Sequence, residues 1–150
     1  MDLKQGSDRF AVFKEKCRAH HLRITPQRMA VYRALMEAQG HPSADDIFND
    51  VKHEFPNISF DTVYRALMTF SEIGIIDTVE GHGAPKRFDV NPDGHHHFYC
   101  IGCGRIIDFY SEAMDQAKIP SEIKRKCRIL GRRMVLKGYC DECRKRMRGK

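Results

Sequence analysis

The chain has 150 residues and a formal net charge of +6 at neutral pH, which suits one ordinary domain or two small ones and only weakly favours an anionic partner. We expect no membrane association and no secretory signal, because no apolar stretch is long enough to cross a bilayer and the N-terminus is polar. The chain has six cysteines, four of them at metal-ligand spacing, which indicates a reducing, cytoplasmic environment.

The charge is distributed unevenly along the chain. Residues 1–33 hold eight basic and three acidic residues, residues 34–84 hold two and nine, and residues 85–150 hold sixteen and eight. The three segments therefore carry net charges of +5, −7 and +8. Because the middle segment is acidic, any surface for an anionic partner in the first half has to come from its basic N-terminal part and a few placed arginines.

Four helices are predicted in the first half of the chain. Apolar residues recur at helical spacing over residues 8–21, 26–39, 44–55 and 60–73. A short polar residue stands before each of the last three helices, where its side chain can accept a hydrogen bond from the first turn. These capping residues are Thr25, Ser43 and Ser59.

Two short strands are predicted after the fourth helix, at 75–80 and 86–90, with a glycine-rich turn between them at 81–85. A capped helix followed by a hairpin is the pattern of a winged helix-turn-helix, in which the hairpin is the wing. Pattern alone leaves open any other small helical domain with a hairpin. We predict a winged helix-turn-helix DNA-binding domain at residues 1–90 and a turn-rich linker at 91–94.

Residues 95–150 are predicted to form a small α/β dimerisation domain, which makes the whole chain an α+β protein. A strand, a cysteine-containing turn and a second strand come first. A helix at 111–119 follows, restarts at 121–126, and leads to a third strand at 128–139. We expect the basic tail at 144–150 to be frayed. Three strands and one helix give a thin core, so we expect a homodimer.

Two Cys-x-x-Cys pairs predict a structural zinc site in this second domain. Zn²⁺ binds four thiolates tetrahedrally, and such a site contributes much of the stability of a small domain. The alternatives are four unrelated buried cysteines and a thioredoxin-like redox pair. A redox pair opens a helix after a buried strand, whereas the first pair here leads into a glycine-rich turn. The predicted ligands are Cys100, Cys103, Cys140 and Cys143.

A second metal site is predicted beside the first cysteine pair. His95 and His97 share one face of a strand, and Asp108 returns opposite His97 if the chain doubles back as an antiparallel pair. Nitrogen and oxygen ligands suit Fe²⁺, Mn²⁺ or Zn²⁺. A zinc enzyme that uses this cluster as an open catalytic site is a remote alternative, because no base is obviously placed beside it.

Two more ligand candidates precede the linker. His41 lies in the turn between the second and third helices, and Asp89 ends the predicted wing. Ligands from both sides of the linker would fix the angle between the two halves, as in a metal switch. The alternative is that both side chains are solvated.

The remaining histidines and cysteines are not accompanied by further potential metal ligands at a suitable spacing. We expect Cys17 and Cys127 to be buried as small apolar residues. We expect the other histidines on the surface. They are His20, His21, His53, His82 and His96.

The sequence resembles the ferric uptake regulator superfamily over nearly its whole length. Five motifs carry the resemblance, in the family's order and spacing. They are R-I-T-P-Q-R at 23–28, H-P-S-A-D-D at 41–46, D-T-V-Y-R at 61–65, R-F-D at 87–89, and the stretch 95–108 with the second cysteine pair. The resemblance implies a dimeric, metal-dependent repressor of palindromic double-stranded operator DNA, with the helix at 60–73 in the major groove. The DNA-binding residues implied are Arg23, Thr25, Arg28, Thr62, Tyr64 and Arg65.

Within the family, the regulatory ligands match the peroxide-sensing branch. They are His41, Asp89, His95, His97 and Asp108, which the resemblance assigns to Fe²⁺ or Mn²⁺, whereas the iron-uptake branch usually has glutamate at 89 and 108. In peroxide sensors the bound Fe²⁺ reacts with hydrogen peroxide and a ligand histidine is oxidised, by position His41 or His95. The repressor then leaves its operator.

Among the other positions, one resembles the iron-uptake branch and two differ from it. Arg65 is more usual in iron-uptake regulators, so an iron-level repressor is the alternative function. Some iron-uptake members have a third metal site, and it is not expected here because Gly94 and Arg132 replace two of its histidines.

Overall fold

A computed structural model of the chain describes residues 3–79, 85–91 and 93–149, with side chains described from residue 8 onward. The chain divides into two compact units, residues 1–91 and residues 92–150. Most of the predicted wing turn, including His82, lies outside the described residues. The same holds for Glu80 of the predicted first strand, Pro92 of the predicted linker and Lys150.

The first unit begins with four helices. They are α1 Leu3–Ala19, α2 Pro26–Glu37, α3 Ala44–Glu54 and α4 Phe60–Glu72. The three predicted caps are confirmed, because the side chains of Thr25, Ser43 and Ser59 each accept a hydrogen bond from a backbone N–H three residues on. At α3 the cap is reciprocal, since the Asp46 carboxylate accepts from the Ser43 backbone N–H at 2.8 Å.

Aromatic rings join three of these helices. The Phe13 ring of α1 stacks on Tyr32 of α2 with a centroid distance of 4.0 Å, and it meets Phe70 of α4 edge-on at 5.5 Å. Leu35 and Val63 are fully buried in the same core. The first unit thus has an apolar core of its own, which holds α2 and α4 in place.

A two-stranded antiparallel sheet follows α4. It consists of β1 Asp77–Val79 and β2 Arg87–Asp89, with Thr78 opposite Phe88. Both strands are shorter than predicted. Phe88 is fully buried and anchors β2 to the helical core.

The second unit is built on a three-stranded sheet in the order β4-β3-β5. The strands are β3 His96–Cys100, β4 Ile106–Phe109 and β5 Val135–Gly138. β4 pairs antiparallel with β3, whereas β5 pairs parallel with β3. Three short helices complete the unit: α5 Glu112–Asp115, α6 Ser121–Lys126 and α7 Asp141–Arg148. The predicted α+β class is confirmed.

Three predictions for the second unit need correction. The helix expected at 111–119 covers only Glu112–Asp115, and the strand expected at 128–139 covers only Val135–Gly138. The tail expected to be frayed is helical as far as Arg148. Acidic residues in the first turn of α7 and basic residues in its last turn stabilise this helix, as does the Asp141–Lys145 ion pair at 2.6 Å.

The second unit has little apolar core. Its buried hydrophobic cluster consists of three cysteines with Phe98 packed against them. Large apolar side chains are exposed elsewhere in it, among them Tyr110, Leu130 and Val135. A unit with so small a core needs a metal or a partner subunit to be stable. None of the described helices is long and apolar enough to span a membrane.

Candidate metal centres

The four cysteines predicted as zinc ligands lie together at one end of the sheet in the second unit. Cys100 ends β3, and its N–H and C=O bond to the Arg105 carbonyl and the Gly104 N–H at 2.9 and 2.8 Å. Gly104 allows this tight turn with a φ of +72°. Cys140 caps α7 and Cys143 lies in its first turn, so the second pair is positioned by a helix start.

The sulfur positions suit a tetrahedral metal. All four Sγ atoms lie within 4.8 Å of one another, and the Cys103 and Cys140 sulfurs are 3.8 Å apart. Four thiolates bound to zinc at about 2.3 Å in a tetrahedron lie about 3.8 Å apart, whereas disulfide-bonded sulfurs lie at about 2.05 Å. A Cβ on Gly102 would meet the Cys143 sulfur at 3.0 Å, so a larger residue there would crowd that ligand.

The thiols also need a cation to ionise together. Hydrogen bonds from backbone amides, first that of Cys140, lower the pKa of Cys100 to about 6. The Cys140 N–H donates to the Cys100 sulfur at 3.2 Å. The pKa of Cys143 is raised to about 12, mainly because burial removes the hydration of its thiolate. The protein therefore favours ionisation of Cys100 and disfavours ionisation of Cys143. A bound Zn²⁺ would supply the positive charge that the second thiolate lacks.

The predicted His-His-Asp cluster is assembled by the pairing of β3 with β4. The register places His97 directly opposite Asp108, as predicted. The His95 and His97 Nε2 atoms are 2.9 Å apart. The Asp108 Oδ1 atom lies 3.6 Å from the first and 3.4 Å from the second. Two imidazoles and one carboxylate converging in this way form a facial triad of the kind that binds Fe²⁺.

The tautomer of His95 favours metal binding. Its Nδ1 atom lies 2.6 Å from the Asp93 carbonyl oxygen, which can only accept, so Nδ1 carries the proton. The Nε2 lone pair is then directed toward His97 and Asp108, where a metal would sit. Both histidine rings are buried, while Asp108 is about one-third exposed. These residues fit Fe²⁺ or Mn²⁺ and leave positions open for small ligands.

His41 and Asp89 lie close to each other within the first unit. The turn between α2 and α3 pairs with β2, because the Phe88 N–H donates to the Pro42 carbonyl at 2.9 Å and the Arg87 side chain donates to the His41 carbonyl at 3.2 Å. The ligand atoms of His41 and Asp89 come within 4.8 Å of each other as a result. Asp89 is buried, so the prediction that it is a solvated strand end is the weaker alternative.

His96 is buried, so the prediction that it lies on the surface is wrong. Its side chain is 1% exposed. Its Nδ1 accepts a hydrogen bond from the Met134 N–H at 3.2 Å, and its Nε2 lies 3.3 Å from an Asp115 carboxylate oxygen. Strand alternation gives the correct face, but the residues that cover this face come from much later in the chain.

The other histidines and cysteines follow the predictions unevenly. His20, His21 and His53 are exposed, as expected. Cys17 is buried, but Cys127 is exposed because it follows α6 in a segment with no core behind it.

The residues implied as DNA contacts lie at two helix starts in the first unit. At α2, the Arg28 side chain donates to the Arg23 carbonyl at 2.6 Å, next to the capping Thr25. At α4, the Thr62 hydroxyl lies 2.9 Å from that of the capping Ser59.

The next turn of α4 holds the other two candidates. Arg65 is exposed and pairs with Asp61 at 2.9 Å. Tyr64 is half-buried against Phe60, so it is less accessible than the amphipathic pattern predicts.

Comparison with known proteins finds one family along most of the chain. The model of the ferric uptake regulator family matches residues 19–137. The peroxide-responsive repressor PerR of Staphylococcus epidermidis is 37% identical over 123 residues, which cover 82% of this chain and 82% of that protein. PerR of Staphylococcus aureus is 36% identical over 122 residues, with coverage of 81% and 82%.

Solved structures have the same fold. The peroxide stress regulator of Campylobacter jejuni superposes with a TM-score of 0.61 at 25% identity, over 95% of this chain and 100% of that one. The ferric uptake regulator of Vibrio cholerae gives 0.66 at 25% identity, over 84% and 98%. That of Helicobacter pylori, described as having three functional metal binding sites, gives 0.76 over 92% and 93%. Its identity of 22% limits the likeness to the fold.

Proposed function

Because the chain belongs to the ferric uptake regulator family, we propose that it is a repressor that senses hydrogen peroxide through oxidation of one of its own metal-binding histidines. At the coarser level it is a metal-responsive transcriptional repressor and not an enzyme. This removes the zinc-enzyme alternative. Its metals are a structural Zn²⁺ and a regulatory Fe²⁺ or Mn²⁺.

The observation that carries the proposal is the triad of His95, His97 and Asp108. Its ligands are nitrogen and oxygen only, and even with two further ligands a six-coordinate Fe²⁺ would keep a position at which peroxide can react. The relatives named peroxide-responsive repressors support the same reading.

We propose that His41 and Asp89 complete the ligand set. In each unit the ligands are close to one another: His41 with Asp89 in the first, and the triad in the second. An ion that binds both groups favours the arrangement of the units in which all ligands are engaged, and this arrangement would be the one that binds DNA.

Bound Fe²⁺ supplies the redox chemistry by which hydrogen peroxide is reduced beside an imidazole ring. In the net reaction one peroxide oxygen is added to the ring carbon between the two nitrogens, and the other leaves as water. The hydrogen of that carbon moves to the ring nitrogen that held a lone pair, which gives a C=O flanked by two N–H groups. For His95, Nδ1–H keeps its hydrogen bond to Asp93, while Nε2 becomes N–H and can no longer bind a metal. The predicted sites of oxidation are His41 and His95.

We propose that the operator is palindromic double-stranded DNA bound by a homodimer in the cytoplasm. The family's members are DNA-binding dimeric repressors, and two-fold proteins read two-fold sites. The proposed contacts lie at the starts of α2 and α4: Arg23, Thr25, Arg28, Thr62, Tyr64 and Arg65. Arg23, Thr62 and Arg65 are exposed, and the other three are partly buried. The exposed apolar residues of the second unit are available for dimerisation.

Intact-protein mass after aerobic peroxide treatment tests the proposal, with Fe²⁺-loaded and Mn²⁺-loaded protein compared. We expect the iron form alone to gain one oxygen atom, in the peptide that contains His41 or His95. Peroxide treatment should also abolish operator binding by the iron form. The alternative is an iron-level repressor, which the residue at position 65 favours. It predicts that iron promotes DNA binding and that no oxygen is gained, and that result would refute peroxide sensing.

A further inference from the structure

An ion pair joins the two cysteine pairs of the zinc site. Arg105 follows the first pair and Glu142 lies inside the second. The two terminal nitrogens of Arg105 donate to the two carboxylate oxygens of Glu142, each at 3.1 Å. Two parallel bonds of this kind fix the relative orientation of the groups that form them.

Each partner belongs to one of the two cysteine segments. The Arg105 carbonyl accepts from the Cys100 N–H at 2.9 Å. Glu142 sits in the first turn of α7, between the ligands Cys140 and Cys143. The side-chain bridge therefore spans from one half of the metal site to the other, and the two halves cannot separate without breaking it.

The charge of Arg105 also suits this position. A Zn²⁺ ion with four thiolates has a net charge of −2, and a nearby guanidinium offsets part of it. Glu142 alone would add to the negative charge, so the pair matters as a unit.

We propose that Arg105 and Glu142 form a clamp across the four-cysteine site that slows separation of the two cysteine pairs and so slows loss of zinc. They are positioning residues and do not bind the metal. The inference rests on zinc at the cysteine site and is independent of peroxide sensing. Both side chains are about half exposed, at 51% and 57%, so the effect is of the size measured for surface pairs.

The test is the rate at which zinc leaves the full-length, zinc-loaded protein in excess 4-(2-pyridylazo)resorcinol, followed by the absorbance of the zinc complex. We expect Arg105→Gln and Glu142→Gln each to lose zinc about two- to fivefold faster than the wild type. The double variant should be no faster than the faster single variant, because the second change removes a contact already lost. Added salt should accelerate zinc loss in the wild type more than in the double variant.

Arg144→Gln is the matched control. It removes one positive charge from α7 and breaks an ion pair with Asp141 of the same length, 3.1 Å, but that pair lies within one helix. Its zinc release should match the wild type. Equal release rates for Arg105→Gln and Arg144→Gln would overturn the clamp, and so would effects of the two single variants that multiply in the double variant. Circular dichroism and light scattering establish that each variant is folded and has wild-type mass.

Discussion

Replacing Cys143 by serine should unfold the second unit while leaving the first intact. The buried hydrophobic cluster of the second unit is three cysteines with Phe98 against them, so little apolar packing remains without the metal. Structural zinc contributes about 10–16 kcal/mol of apparent binding free energy, against a net stability of about 5–15 kcal/mol for a typical domain. Loss of even half of the zinc term, about 5–8 kcal/mol, is enough to unfold so small a unit.

The assay is urea denaturation followed by far-UV circular dichroism, with zinc content and mass by light scattering measured on the same samples. We expect the variant to lack zinc, to be monomeric, and to keep only the transition of the first unit, which has its own aromatic and aliphatic core. Cys127→Ser is the control, because Cys127 is exposed and outside the cluster. A zinc-free Cys143→Ser protein that remains dimeric and unfolds at the wild-type midpoints would refute the reasoning.

Two further predictions concern the first unit. His41→Ala and Asp89→Ala should each weaken metal-dependent operator binding about 10-fold or more, while zinc content and dimer mass stay unchanged. If either variant keeps wild-type operator affinity, the substituted residue is not part of the proposed switch. His53→Ala is the control because His53 is exposed. Hydrogen bonds from Ser43, first from its side chain, lower the pKa of Asp46. The ionised Asp46 carboxylate therefore stabilises the fold fully at pH values above 3.8, the ordinary pKa of the group, and this stabilisation is lost as the pH falls through the lowered pKa. Asp46→Asn should therefore cost about 0.5–2 kcal/mol of unfolding free energy at pH 7 and flatten the acid-side loss of stability; an unchanged pH profile in urea titrations would contradict this.

Local chemistry in the sequence was sufficient for much of the fold. The three helix caps follow from single side chains next to apolar periodicity, and each is found. The pairing of His97 with Asp108 follows from strand alternation and the short turn at the cysteine pair. The four-cysteine cluster follows from the doubled spacing. In each case the interacting groups are close in sequence or are restricted by metal geometry.

Contacts between residues far apart in the chain could not be predicted from the sequence in this way. His96 is buried because Asp115 and the Met134 backbone cover its face, and neither is marked by a local pattern. The segment between α6 and β5 has apolar residues at irregular spacing, so the third strand was predicted too long. The charged sequence of α7 resembles a solvated tail and so predicts no helix, although its ion pairs and charge order favour one.

The parallel pairing of β5 with β3 gives the zinc ligands a further consequence. The last paired residues are Cys100 and Gly138, and Cys140 follows two residues later, so a metal bound there would close a 40-residue loop and lock the two strands against sliding. A slip of one residue along a strand sends every side chain to the opposite face. A slip of β5 would break the two hydrogen bonds by which Met134 contacts the histidine strand: its carbonyl accepts from the His97 N–H at 3.0 Å and its N–H donates to His96 Nδ1 at 3.2 Å. An ion about 10 Å from His97 along the same strand would thus help to hold the backbone of the proposed regulatory ligands in place.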